Sequence, residues 1–402
     1  MSRSAHARKS GKAKIAIFAV VASICVVGIG SLVVVNLPSK PAGYSLATTS
    51  TTSTPPPPLK LVSIGIQNIQ QQAAQTTTTN SVATTSDPVP SVLNPGSQIV
   101  VNFSVDLAPY SPLPVISPAI PGSWAIVKGS TFVFTPAAPY VPGTTVSVTV
   151  PSGDSGVVGV DGTYLTSPGQ ASFMVAPGTI ERLQQILAQL NYLPLSFTLS
   201  STTPVDPGLL AANQVGTFNW KYPNTPASLQ SLWSEGSANV ITKGAVMAFE
   251  LANHLTTDGQ AGPQVWQAML SDLQNGALDP NPYNYVMVSK TLPENVQVWS
   301  QGNVIYQTLA NTGIPQAPTP NGTWPVYERF TTTTMSGKNP DGSTYHDTGI
   351  PWVSYFFGGD ALHGFIRSSY GYPQSLGCVE MPYSNAGAVF PMTPIGTLVT
   401  VN

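Results

Sequence analysis

Most of this chain is cut into apolar runs too short to be helices. Between Leu59 and Val175 the stretches LKLVSIGI, QIVVNFSV, STFVFTP, TTVSVTV and ASFMV are separated by proline and glycine. Val101, Phe103 and Val105 alternate with Asn102 and Ser104, the two-residue period of a strand with one buried face. Short strands at regular spacing with turn signals between them predict a β-sandwich over residues 59–177. Composition points the same way. Charged residues are 8% of the sequence, against the roughly 25% usual in soluble proteins. Ser, Thr, Gly and Pro must then cover the surface, which suits strands and turns better than long solvated helices. The 402 residues exceed one small core, so the expected fold class is multidomain and mainly β.

The N-terminus carries a different signal. Arg3, Arg8, Lys9, Lys12 and Lys14 precede a charge-free run from Ile15 to Val35. About 20 apolar residues span a bilayer, and flanking basic residues stay on the cytoplasmic side. The expectation is a cytoplasmic tail at 1–14, a membrane-spanning helix at 15–35 and a Thr/Ser/Pro-rich linker at 36–58. Localisation would then be the cell membrane, single-pass, with everything after the linker outside the cytoplasm. A cleaved signal peptide is the alternative, but its apolar core would be shorter and no small-x-small cleavage site stands out. Cys25 lies inside the run, and Ile24 stands where a lipid-attachment site expects a small residue. Removing the five N-terminal basic residues from the net charge of −2 leaves −7. No Lys/Arg cluster follows Lys14, so nucleic acid is not an expected partner.

Residues 178–282 change period. Ile180, Leu183, Ile186, Leu187 and Leu190 recur at helical spacing, and Pro194 ends the run. Lys243 to His254 reads as a second helix and the segment around Val265, Trp266, Met269 and Leu270 as a third. His254 suits a helix C-terminus, and Trp266 and Trp299 read as core. Residues 283–402 are again β-rich, with NYVMVSK, NVQVWSQGNVIYQTLA, GTWPVYERF, PWVSYFF and GTLVTVN cut by Gly, Pro and Asn.

Chemistry concentrates in ALHGFIRSSYGYPQSLGCVEMP. Cys378 is the only cysteine beyond the N-terminal run and has no disulfide partner there. A free thiol has a pKa of about 8.5, so a nucleophilic cysteine needs a base, and His363 is the candidate. That pair suits acyl transfer at an amide or ester, with His363 taking and returning the proton. The N–H groups of Gly377 and Cys378 are natural oxyanion donors, free of side-chain crowding. Asp360 would face away from His363 on a strand, so a main-chain carbonyl, that of Gly364, is the candidate to orient the ring. With three histidines and one cysteine after residue 36, and no CxxC or HxxxH spacing, no metal is expected. His346 reads as a turn or lid residue.

These residues resemble known families. The run GSQIVVNFSVDL…GTTVSVTV resembles bacterial immunoglobulin-like modules, which implies a spacer. LQQILAQLNYL…AVMAFELANHLTTDGQAGPQVWQAML resembles the three-helix peptidoglycan-binding module, with roughly fifty residues inserted between Leu195 and Thr242. HG…SxGCV, preceded by NTGIPQAPTPNGTWPVYERF and GSTYHDTGIPWVSYFFGGDALHG, resembles the L,D-transpeptidase (YkuD) catalytic domain over residues 283–402. The resemblance implies Cys378 as nucleophile, His363 as base, Gly377 in the oxyanion turn and Gly364 as the carbonyl holding the imidazole. It implies substrate contacts at Ser375 and Tyr345; Trp352 and Arg367 are added as candidates for lining the cleft and for binding a substrate carboxylate. Two positions depart from the family motif. Leu376 replaces a histidine, and Glu380 replaces an Arg or Asn, placing a carboxylate where it would raise the thiol pKa if it pointed inward. The implied activity is a 3→3 cross-link between peptidoglycan stems through a cysteine thioester, with loss of D-Ala. Donor and acceptor stems would be the partners and carbapenem-type β-lactams the inhibitors, with no cofactor. A cysteine-dependent L,D-carboxypeptidase on the same fold and a non-catalytic wall-binding scaffold stand as alternatives.

Overall fold

A computed structural model describes residues 57–68, 80–81 and 92–402. The expected tail, membrane-spanning helix and most of the linker lie outside the described residues. Among the described residues no helix is long and apolar enough to cross a membrane.

The first part is two stacked sheets. One runs Asn80–Ser81, Leu61–Gln67, Gln98–Phe103, Thr131–Pro136, Gly122–Val127; the other runs Val92–Leu93, Gly169–Val175, Thr145–Val150, Val115–Ser117. The alternation read from the sequence explains the packing. Ile99, Val101 and Phe103 from the first sheet share one apolar cluster with Val146, Val148, Val150 and Phe173 from the second. The strand Gly122–Val127 carried no clear two-residue period, because most of its side chains are exposed.

Three helices of ten residues or more follow, with a short turn of α-helix at Ala227–Gln230 between the first two. α1 (Ile180–Gln189) starts where the Thr179 hydroxyl accepts the Arg182 N–H at 3.0 Å. α2 (Val240–Ala252) is capped in the same way by Asn239 on Thr242 at 2.8 Å. α3 (Pro263–Asn275) has proline in its first turn and ends at Gly276 in the left-handed conformation, so it runs longer than its apolar spacing suggested. His254 lies just beyond α2 with φ of 57°. The inserted segment folds as a hairpin, Leu195–Leu199 against Gly216–Trp220, stapled by Phe197 against Phe218 at 4.9 Å.

The last part has nine strands: β1 (Asn284–Ser289), β2 (Asn295–Ser300), β3 (Asn303–Leu309), β4 (Gly322–Pro325), β5 (Glu328–Lys338), β6 (Thr344–Phe357), β7 (Asp360–Gly364), β8 (Val379–Met381) and β9 (Leu398–Val401). They form two sheets, β3-β2-β1-β9-β4 and β5-β6-β7-β8, and α4 (Tyr383–Val389) packs beside β7. Val286, Val298, Leu362, Val379 and Val399 fill the core between the sheets. The helices and this part share a second core across residue 283. Tyr285, Trp299 and Leu398 cluster with Leu187, Phe249 and Trp266, and Trp299 donates to the Asn224 carbonyl at 3.0 Å. Both tryptophans are core residues, as their sequence context suggested.

Candidate active site

Two short strands bring the chemistry together. β7 and β8 are parallel, with Leu362 opposite Val379 and His363 opposite Glu380. Alternation then sorts the side chains. Leu362 and Val379 point into the core between the sheets, while Ala361 and Cys378 join a smaller cluster with Ile350 and Val353. His363, Cys378, Tyr345, Ser375, Arg367 and Glu380 line one cleft of about 290 Å³.

His363 is buried, and its Nδ1 lies 3.0 Å from the Gly364 carbonyl oxygen. A carbonyl only accepts, so Nδ1 carries the proton and Nε2 keeps its lone pair. Burial pulls the imidazole below its usual pKa, and the Gly364 contact partly opposes this. The ring is therefore neutral and basic at Nε2 near pH 7. Cys378 is half-buried, and its sulfur lies 3.8 Å from the Gly359 carbonyl oxygen. Burial pushes the thiol up to about 12; the Ala361 main chain opposes this, and Asp360 and Glu380 add to it. Among the described residues no hydrogen bond joins the sulfur to the ring. Burial thus favours a neutral thiol beside a neutral imidazole at rest.

The turn before the cysteine depends on Gly377. Its φ is 119°, which L side chains rarely adopt, and a Cβ there would lie 2.2 Å from an Asp360 carboxylate oxygen, so a substitution would strain the turn and displace Asp360. Ser375 sits beneath the turn. Its hydroxyl donates to the Cys378 carbonyl at 2.6 Å and accepts the Gly377 N–H at 3.2 Å. Contrary to expectation, then, the Gly377 N–H is engaged within the turn, and of the two amides Cys378 is the one Ser375 leaves alone.

Tyr345 reaches the cleft from β6, and burial raises its hydroxyl pKa. Trp352 does not reach it. Ile350 and Val353 both enter the cluster around Cys378, so alternation breaks between them; Trp352 sits at the break with φ of 59° and packs on Phe390 at 5.6 Å. Arg367 lines the cleft but is already held. Its Nε and Nη2 each lie 2.7 Å from a Glu380 carboxylate oxygen, so a substrate carboxylate would have to compete with that pair. His346 is exposed, with Nδ1 at 2.7 Å from the Ser336 hydroxyl.

Sequence reasoning missed the layer underneath. Glu294 is 1% exposed and accepts the Thr312 N–H at 2.7 Å and the Thr312 hydroxyl at 2.8 Å. Thr319 accepts the Gly313 N–H at 2.9 Å and donates to the Gly377 carbonyl at 2.7 Å. Asn311 accepts the Gly371 N–H at 2.9 Å, and its main chain bonds to Glu380 in both directions. The segment NTGIPQAPTP, which helped to carry the resemblance, is thus the bed on which the Cys378 loop lies. Its signal was Asn311, Thr312 and Thr319 set among glycine and prolines, where a surface loop was equally legible.

Among known proteins, residues 283–401 match the L,D-transpeptidase catalytic domain (YkuD). No curated protein matches the chain. Among solved structures, an L,D-transpeptidase from Mycobacterium smegmatis is 11% identical, with 86% of this chain and 100% of that one covered and a TM-score of 0.28. The catalytic domain of the Enterococcus faecium (E. faecium) L,D-transpeptidase is 25% identical over 31% of this chain and 100% of that one, also with a TM-score of 0.28. An L,D-transpeptidase from Mycobacterium tuberculosis H37Rv is 12% identical, with 78% and 95% covered and a TM-score of 0.27. Scores this low carry no argument about the whole molecule, and the assignment rests on the domain match. Residues 283–401 are thus identified as a YkuD-type L,D-transpeptidase catalytic domain.

Proposed function

We propose that this chain is a membrane-anchored L,D-transpeptidase that forms 3→3 cross-links between peptidoglycan stems through a thioester on Cys378. The observation that carries the reading is the His363 ring, turned by the Gly364 carbonyl so that Nε2 is its free base, in the same cleft as the free thiol. A tetrapeptide stem enters the cleft with its third-residue carbonyl over the sulfur. The sulfur attacks that carbon as the thiol proton passes to Nε2. Coupling the two steps suits a thiol whose resting pKa is high. The developing oxyanion is met by the Cys378 N–H, with the Tyr345 hydroxyl near the substrate carbonyl. The C–N bond then breaks, and His363 returns the proton to the departing D-Ala amine. A side-chain amine of a second stem attacks the thioester and gives its proton to Nε2. Collapse restores the thiol and leaves the new amide. No cofactor enters either step.

A carbapenem-type β-lactam offers the same sulfur a strained amide and would acylate Cys378. In this reading the sandwich is an immunoglobulin-like spacer. The helical part is a peptidoglycan-binding module, and the N-terminal run holds the protein at the membrane. The test is incubation with a tetrapeptide stem, with and without an amine acceptor. Transpeptidation predicts cross-linked dimer only when acceptor is present. Tripeptide in both cases indicates the L,D-carboxypeptidase, and an unchanged stem indicates a scaffold.

A further inference from the structure

Glu380 is the least expected group in the cleft: a carboxylate, 4% exposed, two residues from the nucleophile. It is not alone. Arg367 holds both of its oxygens in a two-pronged contact, the Nε at 2.7 Å from Oε2 and the Nη2 at 2.7 Å from Oε1. Such forked pairs fix geometry as well as charge. The same guanidinium lies 4.6 Å from the centre of the Phe365 ring, and that ring is 6.1 Å edge-to-face from His363. Nη2 also donates to the Gln374 carbonyl at 3.2 Å, one residue before Ser375. The Tyr370 hydroxyl accepts the Arg367 N–H at 3.1 Å and donates to the Phe365 carbonyl at 2.5 Å. One side chain therefore ties together the start of the loop after His363, its end before Cys378, and the strand beyond.

We propose that Arg367 and Glu380 are positioning residues that act as one neutral clasp: they fix the loop between base and nucleophile and cancel the charge either would impose on His363 and Cys378 alone. The proposal rests on reading Cys378 as the nucleophile. The charges around the pair make the balance consequential. On its own strand and the next, Cys378 and His363 are faced by Asp360 and Glu380; from β6 by Tyr345, Asp347 and Tyr355; from the segment before β5 by Tyr327; and from the loop by Arg367. Arg367 is the one cation among them. At the imidazole, Glu380 raises and Arg367 lowers the pKa. Without Arg367 an unpaired carboxylate would favour the imidazolium form of the base and disfavour the thiolate; without Glu380 an unpaired guanidinium would do the reverse. Both variants lose the clasp, but their electrostatic effects have opposite signs, and that separates this role from mere support.

The experiment follows Cys378 modification against pH on the full chain, by iodoacetamide with peptide-resolved mass detection and, separately, by a carbapenem. The variants are Arg367→Gln, Glu380→Gln and the double variant, each with a thermal melt. Arg367→Gln should move the profile to higher pH and Glu380→Gln to lower pH, each by roughly one pH unit, which is about tenfold in rate at a fixed pH on the rising limb. The double variant should return close to the wild-type midpoint. If a single variant fails to fold, the charge-exchanged Arg367→Glu with Glu380→Arg tests the same point: a restored profile supports the clasp, and a profile displaced like a single variant overturns it. Single variants that shift in the same direction, or not at all, also overturn it. Alkylation that shifts as predicted with no carbapenem adduct would leave the clasp standing and sink the transpeptidase reading; acylation without opposite shifts would do the converse.

Discussion

The loop that carries Cys378 has two unlike sides. Beneath it lie Glu294, Asn311, Thr312 and Thr319, each 1% exposed or less, with every contact named above made at 2.7–2.9 Å. Above it stands the β5–β6 hairpin, eleven and fourteen residues long, with most side chains exposed and Tyr345 reaching into the cleft. Buried polar groups that are fully partnered specify a single arrangement. The outer part of the hairpin, Met335–Asp347, pairs only within the hairpin and buries little, which places it toward the low-stability end of the fold. The Cys378 loop is thus set from below by buried polar contacts, while the side above it is largely exposed.

That contrast predicts a graded series of losses. The largest belongs to the base. His363→Ala should lower Cys378 acylation by roughly 10²–10⁴-fold, read as the rate of carbapenem adduct formation by mass spectrometry, because general-base catalysis is worth about that much. Gly377→Ala should come next. It forces a side chain into φ of 119° against Asp360, so the turn must shift, and about a hundredfold loss of acylation is expected, comparable to losing an oxyanion donor. In the bed, Glu294→Ala leaves the Thr312 N–H and hydroxyl without their acceptor. A destabilisation of about 3 kcal/mol should appear in a denaturant melt, with activity falling as the loop loosens. On the hairpin, Tyr345→Phe should alter KM by a few-fold and leave the melt unchanged. A large loss of stability there would erase the distinction between the two sides.

The smallest effect is a pH dependence behind the turn. Burial raises Asp360 to about 6, above the unfolded carboxylate value of about 3.9. Between those values the native state binds more protons than the unfolded one, so the stability this group contributes is intact below about pH 4 and is lost as pH rises through about 6. Asp360→Asn should therefore melt like the wild type at pH 4 and a few degrees higher at pH 8. Equal Tm differences at both pH values would contradict this account of the carboxylate.

What the sequence shows and what it hides follow the same division. The sandwich strands and the core strands of the last part were legible because one face of each is buried, which imposes alternation. The hairpin was legible only in part. TTTTMSGKNPDGSTYHD is polar on both faces, so nothing in its period separates a strand from a loop. Cys378, His363 and Gly377 stood out as candidates because acyl-transfer chemistry restricts residue type. Glu294, Asn311 and Thr319 did not, since a buried carboxylate or amide with partners reads in sequence like a solvated one. The Arg367–Glu380 pair is thirteen residues apart and is made only when β8 lies parallel to β7. Trp352 misled because its positive φ breaks the strand's alternation, which the sequence cannot display.

The central claim is that Cys378 is a nucleophile served by His363, and intact-protein mass spectrometry after exposure to a carbapenem tests it most directly. The account predicts one covalent adduct per chain, mapped to the Cys378 peptide, absent in Cys378→Ala and formed far more slowly in His363→Ala. A wild-type chain that stays unmodified while remaining folded would contradict it.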